Sequence, residues 1–241
     1  MDPEYSRRYR DLYERHWWWR AREHVIVDIL RRHQPPGGWQ RILDVGCGDG
    51  LFFDRLEEFG EVEGVEPARG LVSDTPGRRE RIHIGPFDAQ YQPGHQFRLI
   101  LMLDVLEHLD DPSGALRHAV SLLDADGTLV ATVPAFRALW THHDDLNEHR
   151  IRYTKRTLTE LLTASGLRIN RLQYFFYWTF PVKLAQRVAE SIVRRRPAPA
   201  SVPPGPINAA LYALSRLEHT LLAPLRLPFG SSLLVVARRA C

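Results

Sequence analysis

The sequence predicts an α/β protein built around a doubly wound, mostly parallel sheet of seven strands. Short apolar runs alternate with stretches of helical periodicity through most of the chain, which implies right-handed crossovers and parallel neighbours. The first run ends in a glycine-rich turn that opens into a helical stretch, the place where open α/β sheets hold ligands. Composition agrees: of 241 residues, 44% are apolar and 25% charged. That is the balance of a globular chain that buries a real core, not of a disordered one.

Each element has its own justification. Residues 5–33 read as one helix, because Tyr9, Leu12, Tyr13, Val25, Ile26, Ile29 and Leu30 recur at spacings of three and four around His16-Trp17-Trp18-Trp19-Arg20. Pro35-Pro36-Gly37-Gly38 stops it. Strands are expected at 41–46, 62–66, 82–84, 99–103 and 128–133, and helices at 51–59 and 113–123. A helix at 154–165 begins on a Thr cap and ends before Gly166. Residues 167–177 read as a strand, whose aromatic end (six aromatics in residues 174–180) should bury alternate side chains and expose the others. Val182, Ala185, Val188, Ala189 and Ile192 form an apolar stripe opposite Lys183, Gln186, Arg187, Glu190 and Arg194, the pattern of an amphipathic helix. A Pro-rich basic connector, 194–206, precedes a second stripe of Ile207, Leu211, Leu214, Leu217 and Leu221, and 233–237 is the last strand, expected to run antiparallel.

The net charge of +3 conceals an asymmetry. Residues 1–167 carry 21 Lys and Arg against 27 Asp and Glu, whereas residues 168–241 carry 11 against 2. A basic third that also holds the aromatic run suits an anionic surface or substrate. The only cysteines are Cys47 and Cys241, which excludes a disulfide framework. No run of 18 apolar residues occurs, and Met1 to Arg10 has no apolar signal core. The expectation is a cytoplasmic protein, with the inner membrane face as a peripheral location.

The most informative segment is Ile42-Leu43-Asp44-Val45-Gly46-Cys47-Gly48-Asp49-Gly50. Its glycines let the backbone approach a ligand. A dinucleotide fingerprint would need glycine at 51, where the chain has Leu51, so a nicotinamide-dependent oxidoreductase is disfavoured. A carboxylate at the strand end suits a ligand with an ammonium and hydroxyls. Glu66, twenty residues past Gly46, ends the next strand where a carboxylate can accept both ribose hydroxyls.

These residues resemble the first motif of the class I, Rossmann-like S-adenosylmethionine-dependent methyltransferases. The resemblance continues through Val65-Glu66-Pro67, Asp88-Ala89, Leu103-Asp104-Val105-Leu106-Glu107-His108-Leu109-Asp110-Asp111-Pro112 and Leu123-Asp124-Ala125-Asp126-Gly127-Thr128-Leu129. His16–Arg20 and His149-Arg150-Ile151-Arg152-Tyr153 are similar to segments of the small bacterial members. The resemblance implies S-adenosyl-L-methionine as cofactor. It puts the Gly46-Cys47-Gly48 turn and Gly50 under the methionine part and ribose, and Asp44 at the ammonium. Glu66 would hold the ribose hydroxyls, Asp88 the adenine amino group with Ala89 donating a backbone N–H, and Asp104 would face the reacting centre. The domain plan it implies is one domain: helical cap 1–38, cofactor-binding core 39–177, helical insertion 178–228 that completes the cap, and last strand 229–241.

If the acceptor is a hydroxyl, a base must take its proton, and His is best poised for that near neutral pH. His143 and His149, in the loop after the fifth strand, and His108, after the fourth, are the candidates, with Asp144 as orienting partner. The His spacing matches no closed zinc pattern, and no metal is expected. Arg20 and Arg22 are candidates to bind a carboxylate or phosphate. The function read from the sequence is methyl transfer to a small-molecule or lipid-linked acceptor, at oxygen. C- or N-methylation and a non-catalytic membrane-associated protein are the alternatives. An anionic membrane surface is a candidate partner; nucleic acid is not expected, because no RNA-binding module is visible.

Overall fold

The computed structural model describes residues 3–192 and 200–240. Helices α1 (Pro3–Arg15) and α2 (Trp17–His33) lead into β1 (Gln40–Val45), α3 (Phe53–Leu56), β2 (Gly60–Glu66), β3 (Ile82–Ile84) and β4 (Phe97–Leu103). Then come α4 (Pro112–Leu122), β5 (Leu123–Pro134), α5 (His142–Leu146), α6 (Lys155–Ala164) and β6 (Leu167–Phe175). Helices α7 (Thr179–Ile192) and α8 (Gly205–Leu222) precede the last strand, β7 (Ser232–Arg239). The seven strands form one sheet in the order β3-β2-β1-β4-β5-β7-β6. Pairings from β3 to β5 are parallel, and β7 runs antiparallel to both β5 and β6. The expected fold class is borne out.

Strand alternation divides the core into two layers. Leu43 and Val45 of β1, Ile100 and Met102 of β4, and Leu233 and Val235 of β7 pack with Leu116, Leu158 and Leu162 from α4 and α6. Ile42, Leu99, Leu101, Leu234 and Val236 face the other way, against Ile26, Ile29 and Leu30 of α2 and Phe53 of α3. Residues buried on both faces explain why these strands read as unbroken apolar runs. The chain builds outward from β1 to β3 and then returns to β4, so the sheet's switch point lies between β1 and β4. Ligand clefts form beyond the carboxyl ends of strands at such a point.

Three expectations need correction. The long N-terminal helix is two: His16 adopts an extended conformation and caps α2, its Nδ1 accepting from Trp18 N at 3.1 Å. The helix expected at 51–59 is only one turn, Phe53–Leu56. The aromatic run does not alternate between buried and exposed, because Tyr174, Phe175, Phe176 and Tyr177 are all buried. The strand ends at Phe175 and Phe176 turns to φ +57°, which breaks the two-residue period and lets both core layers take aromatics from this edge. Residues 193–199 of the expected connector lie outside the described residues.

The apolar stripes of α7 and α8 are present, but they face outward. Among the described residues, α7 buries only Thr179, while Val182, Leu184, Val188 and Ile192 are exposed, Ile192 by 76%. α8 buries Asn208, Ser215, Glu218 and His219 and exposes Ile207, Leu214, Leu217 and Leu221. The inward face is polar because it satisfies backbone groups. Asn208 accepts from Trp17 N and donates to Arg15 O across the α1–α2 break, and Glu218 accepts from Tyr177 N and Trp178 N beyond β6. His219 Nε2 lies 2.9 Å from Asp28 of α2.

Candidate active site

Two cavities meet at the carboxyl ends of β1 and β4. The first, about 50 Å³, lies over the glycine turn, with Tyr9 of α1 and Arg22 of α2 across it and Asp44, Gly46 and Cys47 beneath. Gly46 has φ +72°, and a Cβ there would meet Val105 Cγ2 at 2.8 Å, so both conformation and space require glycine. The turn is tied to β2 through Glu66, whose two oxygens accept from Gly48 N at 2.9 Å and Ala68 N at 2.8 Å. Asp44 is buried and accepts no hydrogen bond among the described residues. Burial pushes its carboxyl up to about 7; Arg22 opposes that shift and Glu66 adds to it. A buried, unpartnered carboxyl under an open turn fits an incoming ammonium. Cys47 is buried, and burial raises its thiol out of the reactive range.

The second cavity, about 370 Å³, opens beside the first. Trp18 and Trp19 form part of its wall, and His108, His143, His149 and Lys183 face it from the β4–α4 loop, the β5–α6 segment and α7. Asp104 lines the second cavity next to Leu103, which lines both, and sits in the left-handed region at φ +56°, uncommon for a non-glycine residue and typical of functional sites. Arg22 Nε lies 2.7 Å from one Asp104 oxygen, and Thr132 Oγ1 donates to the other at 3.1 Å. Arg22 is thus committed to a carboxylate of this chain rather than to a ligand. Arg20 lies over the Tyr212 ring.

Asp144 is fully buried and accepts from five donor atoms, Thr141 Oγ1 at 3.3 Å being the most distant. Arg152 Nε and Nη2 reach its two oxygens at 2.7 and 3.0 Å, Thr141 N donates at 2.8 Å, and His149 Nδ1 lies at 2.8 Å. Burial alone would raise this carboxyl, but the bonds from His149 and Arg152 hold it far below the usual carboxylate range. Asp144 therefore orients His149, not His143, and leaves His149 Nε2 for the cavity. The His108 and His149 rings meet edge to face, 4.8 Å apart, and His143 lies 6.5 Å from His149. Burial lowers His143 to about 4, with Lys183 contributing, and burial with His149 lowers His108. Glu107 is 1% exposed, and burial together with Asp104 raises its carboxyl well above the ordinary value. Glu107, His108 and His149 bring donor atoms within 4.8 Å of one another, so these are the side chains that could hold a divalent ion.

The cavities bring together Asp44, Gly46, Cys47, Asp104, His108, His143 and His149. Gly48 and Gly50 of the turn, and Glu66 that anchors it from β2, line neither cavity. Asp88 and Ala89 also lie outside both, with Asp88 accepting from Gln90 N at 2.8 Å in a local turn. Sequence reasoning missed Tyr9, Arg152 and Lys183. A buried arginine and a cavity-facing lysine have no periodic signature, and Lys183 sat on what read as the solvated face of its helix.

Comparison with known proteins agrees with this geometry. A family model described as a methyltransferase domain matches residues 4–172. The chain belongs to that family, and its sheet has the Rossmann-like fold. A ubiquinone biosynthesis O-methyltransferase of Azorhizobium caulinodans is 32% identical over 122 residues, covering 44% of this chain and 48% of that protein. Aklanonic acid methyltransferase DauC of Streptomyces sp. strain C5 is 32% identical over 124 residues, covering 47% and 54%. The chain thus spans about half the length of the curated relatives it matches. A SAM-dependent methyltransferase from Archaeoglobus fulgidus superposes with a TM-score of 0.57 at 18% identity, over 90% of this chain and 94% of that one, a likeness of fold.

Asp144→Asn removes the countercharge of Arg152, whose side chain is 1% exposed. Breaking a buried pair from one side costs about 3–5 kcal/mol. Denaturant unfolding should show a loss of that size, with a much smaller loss for His149→Gln, which leaves Arg152 and Asp144 paired.

Proposed function

We propose that this protein transfers the methyl group of S-adenosylmethionine to an oxygen of a small or lipid-linked acceptor held in the larger cavity. The observation that carries the reading is the Asp144–His149 pair, aimed into that cavity beside Asp104 at the sheet's switch point. The cofactor, when bound, supplies a sulfonium methyl open to one-step displacement. The Gly46–Gly50 turn would pass beneath it, and Asp44 would take the ammonium. Glu66, whose oxygens each keep a free lone pair, would take the ribose hydroxyls, while Asp88 and the Ala89 N–H would meet the adenine. α1 carries Tyr9 across a trough of only about 50 Å³, so admitting a nucleoside requires that helix to move. Asp104, fixed by Arg22 and Thr132, aligns the groups at the junction, where alignment is worth a large share of the barrier. The acceptor O–H bond gives its proton to His149 Nε2 as the O–C bond forms and the C–S bond breaks. Asp144 holds the tautomer that allows this and stabilises the resulting imidazolium. The relatives named O-methyltransferase support oxygen over carbon or nitrogen.

The outward apolar faces of α7 and α8 favour a peripheral membrane location. Val182, Val188 and Ile192 on α7 and Leu214, Leu217 and Leu221 on α8 are exposed at helical spacing, so each helix presents an apolar stripe, and exposed apolar faces mark interaction sites. They sit in the third of the chain that carries 11 basic and 2 acidic residues, the charge that an anionic lipid surface complements. No helix of the described residues is long and apolar enough to cross a membrane, so contact would be with one leaflet. Docked this way, α7 would bring Lys183 and the cavity mouth to the surface where a lipid-linked acceptor resides.

Three measurements test these readings. Labelled S-adenosylmethionine incubated with extracts of the source cells should mark an acceptor whose product is an ether or ester. Asp44→Ala/Glu66→Ala should abolish the label, and His149→Gln should lower turnover about 10²–10⁴-fold without weakening S-adenosylhomocysteine binding; an unaffected His149→Gln rejects the base. Cofactor binding should depend on pH through Asp44. Its carboxyl is neutral below about 7, whereas the ammonium requires the carboxylate, so binding releases a proton and weakens about tenfold per unit below pH 7. Calorimetry in two buffers of different ionisation enthalpy checks this, and Asp44→Asn should remove the proton release. Finally, the protein should co-sediment with phosphatidylglycerol vesicles and be released by Leu217→Glu/Leu221→Glu. Protein that stays in the supernatant counts against docking.

A further inference from the structure

Two cations around the larger cavity are paired with carboxylates, and a third is not. Asp104 is paired with Arg22, and Asp144 is shared between Arg152 and His149. Lys183, on the first turns of α7, faces the cavity and forms no hydrogen bond or ion pair among the described residues. The nearest opposite charges act only at longer range: Asp144 and Asp104 favour its ammonium, but Arg152 opposes it. The seven residues that follow α7 offer no acid either, since 193–199 contain three arginines and no Asp or Glu.

Taking the methyl-transfer reading as given, we infer that the acceptor carries a carboxylate in addition to the hydroxyl it presents to His149, and that Lys183 is the residue that selects it. A half-buried ammonium without a partner is costly in the empty cavity and is satisfied only by an anion that enters with the substrate. A single lysine is a compact point charge, suited to a carboxylate; a phosphate site would more commonly present the forked donors of arginine, and both nearby arginines are already engaged. The cavity, about 370 Å³ with Trp18 and Trp19 in its wall, suits a flat molecule of one or two rings. Burial and Arg152 bring Lys183 down to about 8, which still leaves it charged at neutral pH, and a bound carboxylate would raise it again. The role is selection rather than chemistry: the reacting proton goes to His149, and Lys183 holds the far end of the acceptor.

Two probes of equal shape separate charge from fit. Tryptophan fluorescence, sensitive to Trp18 and Trp19, is followed while benzoate or benzamide is titrated into the protein, with and without S-adenosylhomocysteine. Benzoate should bind at least tenfold more tightly than benzamide. Lys183→Met should bring benzoate to the benzamide level and Lys183→Arg should retain most of the preference, with S-adenosylhomocysteine affinity changed less than twofold in both. Equal binding of the two probes, no binding of benzoate, or a preference that survives Lys183→Met overturns the inference. With the acceptor recovered from extracts, Lys183→Met should raise KM tenfold or more and leave kcat within about threefold; a loss confined to kcat also overturns it. Failure of the methyl-transfer reading shows separately, as absence of S-adenosylhomocysteine binding or of label in any fraction, while the benzoate comparison stands on binding alone.

Discussion

The acceptor side of this protein hangs on one buried carboxylate. Asp144 closes the first turn of α5 through Thr141, fixes the His149 ring, and receives the Arg152 guanidinium, which also donates to Ala135 O at the end of β5 at 3.0 Å. Residues 135–153 would otherwise be a loop leaving a strand end; with this node they become a wall of set geometry. The node is also an electrostatic decision. Burial would favour a neutral Asp144, but five donor atoms keep it ionised, and an ionised Asp144 makes His149 present Nε2 to the cavity. Catalytic geometry of this kind tolerates little looseness, and a carboxylate held from several directions supplies the rigidity.

The way β7 enters the sheet explains the cap. Because β7 lies between β5 and β6 and antiparallel to both, the chain must leave the end of β6, turn, and return to the same edge region. α7 and α8 occupy that excursion. Their inward faces are spent on polar business: Glu218 satisfies two amides after β6, Asn208 bridges the break between α1 and α2, and Ser215 accepts from the Trp178 indole. The apolar stripes are then left outside. An isolated soluble domain would gain by the opposite arrangement.

All seven strands were legible; the central ones, β1, β4, β5 and β7, are largely buried on both faces and appear as apolar runs between turn signals. The glycine turn was legible for a different reason: closely spaced glycines with a carboxylate two residues ahead have few uses other than a ligand cradle. What stayed hidden depends on contacts between distant residues. Helical periodicity runs straight through His16, and only the Asn208 bonds from α8 show that the chain breaks there. The stripes on α7 and α8 were visible, but a stripe does not say which way it faces; that followed from polar partners at the end of β6 and on α2. The pairing of Arg22 with Asp104 joins residues 82 apart and turns an arginine that read as a ligand-binding group into a support for a carboxylate.

Methyl transfer from a sulfonium disperses a positive charge that is already present, so the reaction asks the protein for alignment and a proton acceptor more than for new cationic stabilisation. The carboxyl groups here are sorted accordingly. Burial and Asp104 push the Glu107 carboxyl up, burial brings Asp44 to about 7, and the bonds from His149 and Arg152 hold Asp144 down. Lys183 does not fit that scheme if the acceptor is neutral. On the methyl-transfer reading, an unpaired ammonium at Lys183 would oppose a bound sulfonium and an imidazolium at His149. A carboxylate on the proposed acceptor would offset both by pairing with Lys183. The place of Lys183 in the cavity wall would then follow from the proposed acceptor rather than from the reaction itself.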